Sequence, residues 1–166
     1  MAAGVKTAIL VSSDKAVDPV SAYGVSKNAQ ERIWLWAAKV FNGCDFVTGR
    51  FGNFIRSSGS CFEVWDRQKC AGEKITVTHP DATRYFIEIA DVARFIIKIM
   101  DIGVNGRTYI PKMQEKSIYS LALEHTGCTL DEITITGLRE GEKLHEELYS
   151  EHERKRLIGR GDYYEI

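Results

Sequence analysis

The apolar run Ala8-Ile9-Leu10-Val11 breaks off into Ser12-Ser13-Asp14-Lys15, and a long helical repeat begins soon afterwards at Ala22. A short apolar stretch that delivers polar groups at its end fits a strand buried in a parallel sheet. In open α/β sheets the carboxyl ends of such strands form the ligand crevice. Pro19 and Ser21 punctuate the connection. Beyond it, Ala22, Val25, Ala29, Ile33, Trp36 and Val40 recur at helical spacing and are expected to form one buried stripe. Trp34 falls off that stripe and reads either as a partly exposed aromatic or as a helix-to-helix subunit contact.

The helix begins with Tyr23 and Lys27, four residues apart and so on one face. A phenol ionises near ~10 in water, and a neighbouring ammonium stabilises the phenolate. A tyrosine so placed can take a proton from a sugar hydroxyl while a nicotinamide accepts the hydride from the same carbon. The spacing alone favours an ordinary exposed pair; the strand and polar loop before it reverse that in favour of the catalytic reading.

Along the chain the patterning predicts a strand at 7–12, a helix at 22–41, a strand at 45–50 and a helix at 60–71. A short strand at 75–77 and a pairing segment at 84–87 follow. Val92, Phe95, Ile96, Ile99 and Met100 mark a helix at 89–101, before a strand at 107–110. Ser117 caps a helix that ends at Gly127, 133–136 is a short strand, and 143–150 is a last helical segment. The charge run from Glu151 to Arg156 is expected to be a solvated face.

Composition narrows the classes. A formal net charge of -1 leaves no basic stripe to track nucleic-acid phosphates. No apolar run approaches the ~20 residues of a membrane span, and no signal peptide precedes the first strand. A cytoplasmic protein is expected. Cys44, Cys61, Cys70 and Cys128, with His79, His125, His145 and His152, lack metal-ligand spacing, so structural or incidental roles are expected and no metal.

Five motifs in order resemble the extended short-chain dehydrogenase/reductase superfamily, and within it the polysaccharide-biosynthesis branch of UDP-N-acetylglucosamine 4,6-dehydratases. Ser12-Ser13-Asp14-Lys15-Ala16-Val17-Asp18-Pro19 is similar to that branch's S-T-D-K-A-x-N-P. Arg50-Phe51-Gly52-Asn53 with Ser58-Gly59-Ser60 resembles R-Y-G-N and R-G-S, Thr83-Arg84-Tyr85-Phe86-Ile87 resembles T-R-F-W-I, and Tyr109-Ile110-Pro111-Lys112 resembles F-V-P-K. The stretch from Gly137 to Leu148 is close to G-I-R-P-G-E-K-L-H-E-E-L. Asp14-Lys15 distinguishes this branch from 4-epimerases, with small polar residues there, and from dTDP-glucose dehydratases, with D-E.

The resemblance implies a partial Rossmann-like α/β fold lacking the N-terminal dinucleotide-binding strands, with a small C-terminal α/β substrate-binding region. It is expected as one incomplete domain, 1–55 being the catalytic remnant and 56–166 mainly substrate-binding. Oxidation at C4, assisted by Tyr23 and Lys27, acidifies the C5 hydrogen; Lys15 removes that proton and Asp14 protonates the departing C6 hydroxyl. Such a pair is best described as sharing one proton. With so little net charge, a UDP-sugar must be recognised locally: Arg84 and Arg139 are candidates for the diphosphate, Asn53 and Glu142 for polar contacts, with Ser13 beside the sugar and Arg56 a weaker candidate.

NADP or NAD is the implied cofactor, touching Tyr23 and Lys27. A dinucleotide needs a glycine-rich turn between strand and helix, and the chain has none; Gly159-Arg160-Gly161 follows a charge run and precedes no apolar helix. Residues 2–6 resemble the end of the helix before the family's catalytic strand, so the strand at 7–12 is expected to have an exposed edge. A cofactor-binding half supplied in trans and a homo-oligomer are the expected partners. The alternatives are a UDP-sugar-binding or relic module without turnover, and an epimerase of the same fold.

Overall fold

A computed structural model describes residues 4–166. In chain order its elements are β1 (Thr7–Ser13), α1 (Ala22–Val40), β2 (Asp45–Phe51), β3 (Asn53–Phe54), α2 (Cys61–Cys70), β4 (Ile75–Val77) and β5 (Thr83–Ile87). Then come α3 (Ile89–Ile102), β6 (Thr108–Pro111), β7 (Gln114–Ser117), α4 (Ile118–Thr126), β8 (Ile133–Ile135), α5 (Glu151–Arg154), β9 (Ile158–Arg160) and β10 (Tyr163–Glu165). Gly4 to Lys6 carry no helix, and the rest of the helix end expected at 2–6 lies outside the described residues.

The elements form two compact units. One runs from the N-terminal segment through Gly52 and is joined by Ile89–Lys112 and Glu147–Ile166; the other comprises Asn53–Glu88 and Met113–Glu146. The first unit holds a five-stranded sheet in the order β1-β2-β6-β10-β9. β1, β2 and β6 are parallel, and β10 and β9 add antiparallel. Among the described strands β1 pairs with β2 alone, so it forms an edge.

Alternation along β2 places α1 and α3 on opposite faces of this sheet. Phe46 meets Trp34 of α1 edge-on and Arg50 binds Glu31 of α1. On the other face Phe51 packs against Phe95 of α3, and Gly49 lies under Ile99. A side chain at Gly49 would collide with the Phe51 ring and Ile99, so the close approach of α3 explains the glycine.

The second unit is organised around Phe62, Trp65, Ile75, Val77, Phe86, Leu121 and Ala122, contributed by α2, β4, β5 and α4. It carries a β3-β5-β7 sheet and a parallel β4-β8 pair. Its helix α4 is bounded as its residues dictate. Ser117 Oγ accepts from the Ser120 N–H at 3.2 Å, and Gly127 closes the helix at φ 67°, a conformation costly for residues with a Cβ.

Three expectations fail. The stripe on α1 read as buried points outward: Val25, Ile33, Trp36 and Val40 are each more than half exposed. The face turned to the sheet is instead Gly24, Lys27, Asn28, Glu31, Trp34 and Ala37, because hydrogen bonds and a close backbone approach hold the helix there. Trp34, off that stripe, is a partly exposed aromatic. It is half-buried, with its Nε1 donating to Val47 O at 3.1 Å.

No helix forms over 143–150. The carbonyls of Lys143 and Leu144 accept from Arg84, and Thr83 N donates to Leu144 O, so this backbone pairs across to β5. Helix begins only at Glu151, after Ser150 and Glu153 form a reciprocal capping box. Nor is the run 151–156 wholly solvated, since Arg50 draws Glu153 inward. Gly159-Arg160-Gly161 falls in and after β9, where the chain turns back to β10.

Candidate active site

The carboxyl end of β1 runs into a single 3-10 turn, Asp14–Ala16, capped by Ser13, whose Oγ accepts from Lys15 N at 3.3 Å. The turn points the Asp14 carboxylate into the protein, where it is completely buried. Asp14 Oδ1 accepts from Ser13 Oγ at 2.8 Å and from Lys15 Nζ at 3.1 Å. Asp14 Oδ2 is buried with no hydrogen-bond partner among the described residues, as is Ser12 Oγ. Lys15 is partly open to solvent, so the pair presents a buried acid beside an accessible amine.

Ser21 caps α1 by accepting from Gly24 N at 3.1 Å, and the first turns of α1 then present Tyr23 and Lys27. Lys27 Nζ donates to Val11 O at 3.2 Å and lies 5.9 Å from the Tyr23 ring centroid. Tyr23 is half exposed. The structure thus brings Ser13, Asp14, Lys15, Tyr23 and Lys27 onto adjoining elements of one unit. Hydroxyl, carboxylate, amine and phenol at the end of a parallel strand form a set suited to moving protons on a polyol.

The remaining candidates lie in the other unit. Arg84 is buried on β5, and its two terminal nitrogens are spent on protein acceptors: Thr83 O, Leu144 O, Lys143 O and Glu142 Oε1, at 2.7–2.9 Å. Glu142 also accepts from Thr78 Oγ1 at 3.0 Å and, through Oε2, from Arg139 N at 3.1 Å. The loop is therefore stapled to β5, while Arg139 stands exposed with no ion-pair partner among the described residues. Thr83 adds hydrogen bonds to His145 Nδ1 at 2.8 Å and to Glu115. Asn53 is on β3, paired in register with Phe86, and Arg56 follows at φ 56°.

Sequence reasoning missed Arg50 as more than a motif letter. Its side chain is 2% exposed, and all five N–H donors of the guanidinium are used. Glu31 and Glu153 are each gripped in bidentate fashion, at 2.6–3.0 Å, and Leu148 O takes the last donor at 2.9 Å. Burial opposes the guanidinium's charge, but the two carboxylates outweigh it and hold the group above its usual range. Burial likewise opposes ionisation of Glu153, yet its bonds from Arg50 and Ser150 bring it below the usual carboxylate range. A cavity of about 440 Å³ in the same unit is lined by Glu31, Trp34, Arg50 and Glu153, but by none of Asp14, Lys15, Tyr23 or Lys27.

Tyr23 and Lys27 offer a phenol and a positioned ammonium, chemistry that suits the ribose and nicotinamide end of a dinucleotide. Among the described residues no glycine-rich turn joins a strand to a helix N-terminus to hold a pyrophosphate. No cluster of three or more His, Cys, Asp or Glu among them is arranged for a metal ion.

A mixed α/β unit built on parallel strands, with ionisable groups at the end of a strand and on the following helix, is of the Rossmann-like, short-chain dehydrogenase/reductase class. Residues 1–166 all match the family described as polysaccharide biosynthesis protein, and the chain belongs to that family. It is 36% identical to the probable polysaccharide biosynthesis protein EpsC of Bacillus subtilis over 156 residues, which are 90% of this chain and 26% of that protein. It is 31% identical to a UDP-glucose 4-epimerase of Rickettsia rickettsii, covering 95% of this chain and 48% of that one. The chain thus spans half or less of the length of these relatives.

Among solved structures, Pen from Bacillus thuringiensis superposes with a TM-score of 0.90 at 30% identity, over 99% of this chain and 54% of that one. DesIV, a dTDP-glucose 4,6-dehydratase of Streptomyces venezuelae solved with NAD, shares the fold with a TM-score of 0.78 at 17% identity, over 93% and 54% of the two chains. No helix among the described residues is long and apolar enough to cross a membrane.

Proposed function

We propose that this chain supplies the proton-handling and nucleotide-binding part of a nucleotide-sugar 4,6-dehydratase acting on UDP-N-acetylglucosamine in polysaccharide biosynthesis. The observation that carries the reading is the Asp14-Lys15 turn, where a fully buried carboxylate meets an accessible amine at 3.1 Å. Elimination of water needs a base for the C5 proton and an acid for the C6 oxygen, and one proton shared between these groups serves both. Lys15 takes the C5 proton and Asp14 delivers one to the leaving hydroxyl, while Ser13 holds Asp14 and orients the sugar. Tyr23, steadied by Lys27, takes the proton of the C4 hydroxyl. Bound NAD or NADP supplies the hydride acceptor and donor for C4 and C6.

In the other unit Arg139 is the cation for the diphosphate, with Glu142 and Asn53 for polar contacts, while Arg84, whose terminal nitrogens are spent on protein acceptors, shapes the loop that carries Arg139 rather than binding phosphate itself. The cofactor's pyrophosphate is held by a further segment or chain. A homo-oligomer is supported by the outward apolar stripe on α1, and a cytoplasmic location by the nucleotide substrate. The test is calorimetric titration of this chain with UDP-N-acetylglucosamine and, separately, with NADP. The sugar nucleotide is expected to bind and the cofactor not to; Arg139→Ala is expected to weaken UDP binding at least ~tenfold. Absence of sugar-nucleotide binding sinks the reading. Lys15→Ala, assayed with the cofactor part present, is expected to abolish loss of the C6 hydroxyl.

A second reading, epimerisation of a UDP-sugar, is favoured by the similarity to the rickettsial 4-epimerase. A product that keeps its C6 hydroxyl would establish it.

A further inference from the structure

The catalytic helix is docked on the turn that carries Asp14 and Lys15 by a glycine and an amide, with its apolar stripe turned away. A Cβ on Gly24 would fall closer to the backbone oxygen of Lys15 than real Cβ atoms come, and 3.1 Å from Pro19 Cβ. A backbone carbonyl between a capped turn and a helix has no room to give. One turn further on, Asn28 Nδ2 donates to Ala16 O at 2.8 Å, and Asn28 Oδ1 accepts from Arg32 Nε at 2.8 Å. Both ends of the amide are therefore committed, and its orientation is fixed. Gly24 and Asn28 share a face with Lys27, whose ammonium reaches back to Val11 O.

From these contacts we infer that Gly24 and Asn28 are positioning residues: they lock the Asp14-Lys15 turn to the helix bearing Tyr23 and Lys27, and so fix the offset between the two proton-handling pairs. The inference rests on the dehydratase reading for its catalytic consequence, but not for its geometry. Gly24 is the only residue type that lets α1 lie directly on the Lys15 carbonyl, although glycine is a poor helix former. Asn28 supplies a donor that an isosteric Asp lacks, and a carboxylate there would face the Ala16 carbonyl oxygen. Misplacement of a reacting group by about 1 Å can cost ~100-fold in rate, so a shift of this helix falls on the step that needs both pairs.

The test compares Gly24→Ala and Asn28→Asp with the wild-type chain by two readouts. The first is independent of turnover: backbone NMR of the labelled chain. Resonances of Lys15 and Ala16 are expected to move together with those of Tyr23 and Lys27 in both variants, while β4 and β5 resonances stay in place. If only the residues flanking each substitution move, or if the changes spread through every strand, the lock is overturned. The second readout is turnover with the cofactor part present. Both variants are expected to lose the C6 hydroxyl at least ~tenfold more slowly than they oxidise C4, so that reduced cofactor accumulates, with KM for UDP-N-acetylglucosamine unchanged. Equal slowing of both steps would mark a merely structural role and overturn the inference. A wild-type chain that fails to oxidise the sugar at all counts against the dehydratase reading, and the NMR comparison then decides the positioning role alone.

Discussion

Among the described residues each unit contains one buried arginine held by protein acceptors, and the two are wired differently. Arg50 grips two carboxylates and one carbonyl, so its cluster carries an excess negative charge and ties α1, β2 and α5 together. Arg84 takes three carbonyls and one carboxylate, so its pairing is neutral and staples one loop to β5. The first arrangement joins distant segments, and the second shapes a local loop in which Arg139 stays exposed. Burying a charge is tolerated only where partners replace water, and these sites show two stoichiometries that do so.

The difference can be broken most sharply at Arg50. Arg50→Met leaves two carboxylates facing each other with no cation, and should cost about 3–5 kcal/mol of stability in chemical denaturation. Arg50→Lys should recover little of it, because an ammonium cannot bridge two carboxylates in bidentate fashion. Arg84→Lys should cost less, about 2–3 kcal/mol, through carbonyls left without donors. Its loss of hydrogen-exchange protection should be confined to 137–146 and β5. If the two substitutions prove equally costly, the contrast between a charged hub and a neutral staple fails.

Acid gives the smallest effect. Glu153 has a folded pKa depressed below its unfolded value, so its contribution is complete above the unfolded value near ~4.3 and disappears as pH falls through the folded one. Below about pH 4, exchange protection should weaken in β2 and α5 before it weakens in β5. Simultaneous loss in all three would remove the distinction.

Much of this architecture was legible in the residues. Runs of apolar residues located β1, β2, β4 and β6, and Ser117 and Gly127 bracketed α4 through signals that act within one helical turn. The motif residues Asp14, Lys15, Tyr23 and Lys27 fell on the strand end and helix start read for them. β3, β7, β9 and β10 were not legible, being two to four residues long with no alternation to mark them. The orientation of α1 was misread because periodicity reveals that a stripe exists without saying which way it faces. A glycine that admits the Lys15 carbonyl and an asparagine aimed at Ala16 outweighed the apolar positions.

The sequence by itself determined the order of the longer elements, the caps of α4, and the placing of an acid, an amine and a phenol around one strand-to-helix connection. Those signals are local, because hydrogen-bonded caps and side-chain periodicity span only a few residues. Tertiary structure alone decided which face of α1 is docked and that 89–112 and 147–166 return to the first unit. It also turned a charge run into part of a buried hub, because the partners of Arg50 lie 19 and 103 residues away in the chain. A buried charge is settled by whichever groups the fold brings to it, and no spacing rule reaches that far.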